Sequence, residues 1–160
     1  MNKKIYFIIA LFAFTTPNSI AQKKVPTNTQ AEKPIKIKSP HLRTFLGVLT
    51  DSIVAPLEQV KAVLGAPLKV MDDNNNLLTL TYYQFLYKRK AVTEDEITGK
   101  LSPTTSIVSD YFTTTPLPAK WITIIKSELV AGEELYFFDV IAKDSKGLPF
   151  YAPNLKIITK

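Results

Sequence analysis

The chain has 160 residues, 46% of them hydrophobic, with no cysteine, one histidine and a formal net charge of +6. The absence of cysteine removes disulfide scaffolds, thiol nucleophiles and thiolate metal sites, and a lone histidine leaves no histidine-ligated metal cluster. The basicity belongs to the N-terminal part. Between Gln22 and Arg43 six Lys/Arg stand against Glu32 alone, whereas Thr44 to Lys160 carries twelve basic and thirteen acidic residues, so no nucleic-acid partner is expected.

Met1-Asn2-Lys3-Lys4, the apolar run Ile5 to Phe14 and Ser19-Ile20-Ala21 form the three regions of a secretory signal peptide. The apolar run is about half the roughly 20 residues that a spanning helix needs, so cleavage after Ala21 is expected, with no retained membrane span. Residues 22–43, rich in Pro, Lys and Thr, read as a basic linker. Residues 44–160 read as one mostly-β domain, long enough for a single core.

Thr44 to Thr50 alternates weakly and is read as the first strand. Pro56 to Gly65 reads as a helix with Leu57, Val60, Lys61 and Leu64 on one face, Gly65 at its end and Pro67 blocking continuation. Leu68 to Met71 reads as a strand. It leads into Asp72-Asp73-Asn74-Asn75-Asn76, whose alternating oxygen side chains resemble the start of a calcium loop. Leu77 and Tyr83 then occupy the positions of the turn glycine and the bidentate carboxylate, so a side-chain-built turn is expected there.

Leu77 to Lys88 reads as a strand with Leu78, Leu80, Tyr82 and Leu86 on one face and Tyr83, Phe85 and Tyr87 on the other, both covered. Lys88-Arg89-Lys90 and Glu94-Asp95-Glu96 read as a charged hairpin rim. Gly99 to Thr115 reads as a long connection holding one strand, Thr105 to Phe112. Leu117, Trp121, Ile124, Ile125 and Leu129 fall at helical spacing, with Thr115 as N-cap, Pro116 in the first turn and Gly132 past the end. The competing reading makes Ile122 to Ile125 a strand, because β-branched residues are stiff in helices.

Leu135 to Ala142 reads as a central strand with two apolar faces, Leu135, Phe137, Asp139 and Ile141 against Tyr136, Phe138, Val140 and Ala142. Asp144 to Gly147 turns the chain into a return arm, Leu148 to Lys160, in which Pro149 and Pro153 push the first half towards an edge or a bulge. The fold expected is mainly β with one or two short helices, a β-sandwich-like, immunoglobulin-like single domain ending in a long hairpin.

Any Ser-His-Asp arrangement would have to pass through His41, and no spacing singles out a carboxylate pair or a phosphate-binding glycine cluster, so neither an enzyme nor a cofactor is expected. The contact surfaces expected are the rim, with Lys88, Arg89, Lys90 and Glu94, and the edge carrying Phe150 and Tyr151. An alternative, binding of envelope polysaccharide or a small ligand, would gather Tyr82, Tyr83, Tyr87, Tyr111 and Tyr151 in one cleft.

The strand Leu77 to Lys88, the helix Leu117 to Leu129, Gly132-Glu133, Leu135 to Gly147 and the final strand resemble the GldM/PorM C-terminal domain family of the gliding-motility and type IX secretion machinery, most clearly over Trp121 to Lys160. The resemblance implies a periplasmic, β-sandwich-like, non-enzymatic module with an envelope protein partner from secretion or motility machinery. It also implies structural roles for Phe137, Ile141, Asp144 and Gly147. A second stretch, Leu57 to Pro67, is similar to the helix-Gly-x-Pro opening of small outer-membrane assembly lipoproteins, without their lipid-bearing cysteine.

Overall fold

The computed structural model describes residues 40–160; the expected signal peptide and nearly all of the expected linker lie outside the described residues. Among the described residues no helix is long and apolar enough to cross a membrane. The elements are β1 (Leu42–Leu46), β2 (Leu49–Thr50), β3 (Ile53–Ala55), α1 (Leu57–Val63), β4 (Leu68–Asp72), β5 (Leu77–Glu94), β6 (Leu101–Phe112), α2 (Ala119–Glu128), β7 (Glu134–Lys143), β8 (Pro149–Tyr151) and β9 (Leu155–Thr159). The protein is mainly β with two short helices, as its strand-forming composition implies.

The nine strands form one sheet in the order β2-β1-β4-β5-β7-β9-β3, with β6 added to β5 and β8 to β7. β2 and β3 lie at the two ends of that order, yet only Asp51 and Ser52 separate them in the chain. The sheet must therefore curl until its ends nearly meet, which gives a sandwich-like, almost closed body. Pairing is antiparallel except for β3 beside β9.

β5 and β7 run through both halves of this body, and each carries a bulge where their ladder changes register. Leu80 pairs with Ala142, Tyr82 with Ile141 and Gln84 with Phe138, so Thr81 is extra on β5 and one residue of Asp139-Val140 is extra on β7. Asp139 takes φ +49, a left-handed conformation that non-glycine residues rarely adopt. The consequence corrects the regular alternation expected from sequence. Across the bulges Leu78, Tyr83, Phe85 and Tyr87 of β5 face the same core as Leu135, Phe137, Val140 and Ala142 of β7. Tyr82, Gln84, Leu86, Tyr136 and Phe138 instead share a partly solvated outer face, which corrects the expectation that both faces are covered. Asp139→Val is expected to cost about 1–2 kcal/mol of stability, and Asp139→Gly to cost nothing, in urea denaturation. Equal midpoints for the two variants would remove strain at this position from the account.

The first strand begins at Leu42, two residues before the expected domain start, because Leu42 is buried and pairs with Asp72. The expected strand Thr44 to Thr50 is broken at Gly47. Its φ of +59, and a Cβ that would sit 2.9 Å from Val63 Cγ1, require glycine at the β1–β2 turn. α1 buries Val60 and Leu64, and Leu64 forms its C-cap, with Gly65 just beyond. At seven residues it is too short to stand alone. The C-terminus holds it: Leu57 N–H donates to Lys160 O at 3.0 Å and Lys160 N–H to Ala55 O at 2.9 Å.

α2 is helical through Ile122 to Ile125, against the strand alternative, because Ile125 and half-buried Trp121 cover the aromatic core. It starts at Ala119 with Pro118 as N-cap, three residues beyond the expected cap Thr115. Thr115 does not cap it, since its hydroxyl accepts the Leu68 N–H at 2.6 Å and ties β4 to the α2 approach. Trp121 stands edge-on to Phe85 at 5.4 Å and to Phe112 at 6.1 Å, and Phe85 lies 4.9 Å from Phe137.

The expected closing hairpin is interrupted. β8 pairs with the second half of β7 and β9 with the first half, while Ala152 N–H donates to Val140 O at 2.8 Å between them. The Asp144 turn is built by its own carboxylate, which accepts Lys146 N–H at 2.8 Å and Leu148 N–H at 2.9 Å.

Candidate functional site

The largest departure from expectation lies in the stretch read as a rim and a long connection, although the strand expected at Thr105 to Phe112 is present within β6. β5 continues to Glu94 and β6 starts at Leu101, and twelve residue pairs from Tyr83/Phe112 to Glu94/Leu101 join them into one hairpin arm. β7 stops pairing with β5 at Lys88/Glu134, so beyond that point each arm strand has only the other as strand partner among the described residues. The arm exposes apolar groups that a closed core would hide: Val92 is 64% exposed, Ile97 95%, Leu101 64% and Ile107 57%. The turn is self-supporting, because Asp95 Oδ1 accepts Ile97 N–H at 3.0 Å and Thr98 N–H at 2.8 Å. Those bonds hold the Asp95 carboxyl below its ordinary range.

The basic triplet at the arm base is tied inward. Lys88 Nζ donates to Glu134 at 3.3 Å, Arg89 Nη1 to Glu128 at 2.6 Å and Lys90 Nζ to Ala131 O at 2.7 Å. Each bond reaches a different element: β7, α2 and the α2–β7 loop. Glu94 is exposed farther out along the arm. Phe150 and Tyr151 pair with Ala142 and Ile141, at the far end of β7 from Glu134, about 25 Å away at 3.3 Å per residue. The expected contact residues thus form two separate surfaces. Phe150 packs on the core and Tyr151 is 79% exposed.

Beneath the arm base lies a buried carboxylate that sequence reading left as part of a motif. Glu133, 3% exposed, accepts the Tyr87 hydroxyl at 2.6 Å, Val130 N–H at 3.1 Å and Lys90 N–H at 2.8 Å. Gly132 beside it takes φ +84, and a Cβ there would meet Lys90 Nζ at 2.9 Å, so the Gly-Glu pair is a structural latch between the arm and α2. Burial, then the Glu133 hydrogen bond, pushes the Tyr87 phenol pKa up; burial alone raises Tyr83 to about 12.

The five tyrosines do not share a cleft. Tyr83 and Tyr87 are core residues, Tyr82 and Tyr111 stack on the outer face at 6.2 Å, and Tyr151 stands apart on β8. A groove of about 740 Å³ does lie between α2 and the arm, lined by Tyr87, Arg89, Val108, Lys120, Trp121 and Ile124 among others. His41 is at the surface with Nδ1 2.9 Å from Asp73 Oδ1. Asp72 is engaged by its own loop, accepting Asn74 N–H at 2.9 Å, Asn76 N–H at 2.8 Å and Asn76 Nδ2 at 2.9 Å, which lowers its pKa.

Glu134 is also held below the usual glutamate range, first by the Lys156 hydrogen bond and then by Lys88. A carboxyl depressed on folding contributes stability that is present above its unfolded value, about 4.3, and is lost as pH falls through the lower folded value. Unfolding free energy is therefore expected to hold from neutral pH to about 5 and to decline below about 4.3. Lys156→Met is expected to shallow that decline in acid titrations of the denaturation midpoint, and an unchanged slope would count against this ion pair.

No protein-family model matches the chain, and no curated protein matches it.

Proposed function

We propose that the protein is an exported, non-enzymatic module of a Gram-negative cell envelope, periplasmic in location, that acts by protein–protein contact in the manner of the GldM/PorM C-terminal domain family. The observation that supports this reading best is the arm: a long hairpin carrying Val92, Ile97, Leu101 and Ile107 in solvent, braced at its base by three inward bonds and the Glu133 latch. Exposed apolar groups on a braced element cost solubility without adding to the core, which is the usual mark of a contact surface. The partner is an envelope protein, with secretion or motility machinery as the expected source, and no cofactor takes part. Glu94 belongs to the candidate surface on the arm, with Lys88, Arg89 and Lys90 at its base, and Tyr151 on β8 to a second, separate one.

The test is affinity capture from solubilised envelope with protein purified from cells expressing the full chain, beside an Ile97→Asp/Leu101→Asp variant. Recovery of secretion or motility components by the parent and their loss with the variant is the expected result. Capture of glycan alone, or of the same proteins by both, would overturn the proposal.

The polysaccharide reading keeps one favourable observation, the stacked pairs Tyr82–Tyr111 and Tyr136–Phe138 on the outer sheet face. Aromatic rings that reach solvent suit sugar stacking, and of these four Tyr111 is the exposed one. Titration of tyrosine fluorescence with envelope glycan, lost in Tyr111→Ala, is its test.

A further inference from the structure

We propose that the free edge of β6 pairs antiparallel with the same strand of a second copy, in a two-fold dimer centred on Ile107. Three observations fix which backbone groups that edge presents. Pro103 sits in β6 opposite Val92 without an N–H to give. Tyr111 N–H donates to the neighbouring Asp110 Oδ1 at 2.8 Å, not to its β5 partner Gln84. Lys90 N–H, opposite Thr105, turns to Glu133 Oε1 at 2.8 Å. In an antiparallel ladder a residue turns its N–H and C=O to the same side, and successive residues alternate. The odd-numbered residues of β6 therefore face away from β5, and Thr105, Ile107 and Ser109 carry backbone donors and acceptors with no strand partner among the described residues.

This open window ends at Pro103 on one side and at Tyr111 on the other, and Ile107 lies midway between them. Pairing about a two-fold at Ile107 sets Ile107 against Ile107, Thr105 against Ser109, and Pro103 against Tyr111. The two positions that offer no free N–H then fall opposite each other, and no donor is stranded. Such a fit between a strand and itself is what a symmetric interface requires. Charge agrees, since Asp110 is the single charged residue in β6, and in this register it lies opposite Thr104. Lysine, the usual guard of a strand edge, is missing from the whole strand. Ile107, 57% exposed, gains an apolar partner across the axis. A five-residue window is small, so a weak dimer, with Kd on the order of micromolar, is expected.

The chain contains no cysteine, so Ile107→Cys introduces its only thiol. Directly opposed residues of a hydrogen-bonded antiparallel pair have Cα atoms about 5.5 Å apart, within the span a disulfide accepts. Mild oxidation of the full chain carrying Ile107→Cys is expected to give covalent dimer at least ~10-fold faster than Val92→Cys, similarly exposed on the adjacent strand, because pairing raises the effective thiol concentration. Sedimentation equilibrium is expected to show reversible dimer for the parent. Ile107→Pro, whose lost N–H faces away from β5, should raise the dissociation constant at least ~10-fold with an unchanged circular dichroism spectrum. Equal oxidation rates for the two thiols, or a parent that is monomeric up to about 100 μM, would overturn the proposal. If the parent is monomeric but Ile107→Pro loses its captured envelope partner, the edge takes a foreign strand: the dimer is excluded and the interaction reading stands. Dimerisation with no partner captured would have the opposite meaning.

Discussion

Glu133→Ala is expected to lower the free energy of unfolding by about 3–5 kcal/mol, the largest effect of any polar substitution in the domain. The carboxylate is 3% exposed and takes three donors: the Tyr87 hydroxyl and the N–H groups of Val130 and Lys90. Alanine strands all three beneath the arm base, and each buried orphan costs about 1–3 kcal/mol. Glu133→Gln should fall between parent and alanine. Its carbonyl can serve Tyr87 and Val130, but its amide then points a donor at the Lys90 N–H. Tyr87→Phe, which leaves the carboxylate two backbone donors, should cost only about 1–2 kcal/mol. Urea midpoints at constant slope measure this series. A loss under about 1 kcal/mol for Glu133→Ala would mean that water reaches the site and that the latch is not one. Because ordinary domains are stable by about 5–15 kcal/mol, the alanine variant should also make the arm base the first region to open to hydrogen exchange.

Glu133 shows how far the sequence could be read. Gly132-Glu133 was visible as a helix stop followed by a strand, and both elements are present at α2 and β7. Nothing in the residue string indicated that the glutamate points inward, because an acidic residue at a strand entry is ordinarily solvated. The mainly-β class, the two helices and the turns at Asp72 and Asp144 follow from local chemistry, and local chemistry is legible. The bulges at Thr81 and Asp139 were not: a period-two pattern has no mark for an inserted residue unless glycine stands there. They reassign the inward faces of two strands, which is why Leu78 shares a core with Tyr83 in the fold and not in the regular alternation. The full length of the arm is illegible for a related reason. Thr105 to Phe112 reads as a strand and lies within β6, but Leu101 to Thr104, largely polar and containing Pro103, reads as loop until its partner strand Ala91 to Glu94 is known. Charge and edge chemistry therefore point to Lys88, Arg89 and Lys90 at the arm base, Glu94 farther out and Phe150 and Tyr151 on β8, and carry no sign of the exposed apolar residues Val92, Ile97 and Leu101.

The same reassignment predicts a contrast between two phenylalanines that the sequence presents alike. Phe85 and Phe138 both sit mid-strand in stretches rich in aromatic residues, but Phe85 is 0% exposed and Phe138 lies on the outer face stacked over Tyr136 at 5.1 Å. Phe85→Ala is expected to cost about 3–5 kcal/mol, because it removes the ring between Trp121 and Phe137 and leaves a cavity that β-sheet backbone on one side and α2 on the other cannot collapse to fill. Phe138→Ala leaves no enclosed void and should cost about 1–2 kcal/mol. A double-mutant cycle of Phe85→Leu with Trp121→Leu should return a coupling of about 0.5–1.5 kcal/mol, as their edge-on geometry requires. Regular alternation would set Phe85 apart from Leu78 and Leu80, and would put Phe137 on the opposite face from Val140. In the bulged sheet Phe85 joins the upper and lower parts of one core, so its removal should lower the stability of β1 and β4 along with that of β5 and β7. Hydrogen exchange in Phe85→Ala reads this directly. Loss of protection in all four strands together is the expected result, and loss confined to β5 and β7 would mean that the two halves of the sheet are stabilised separately.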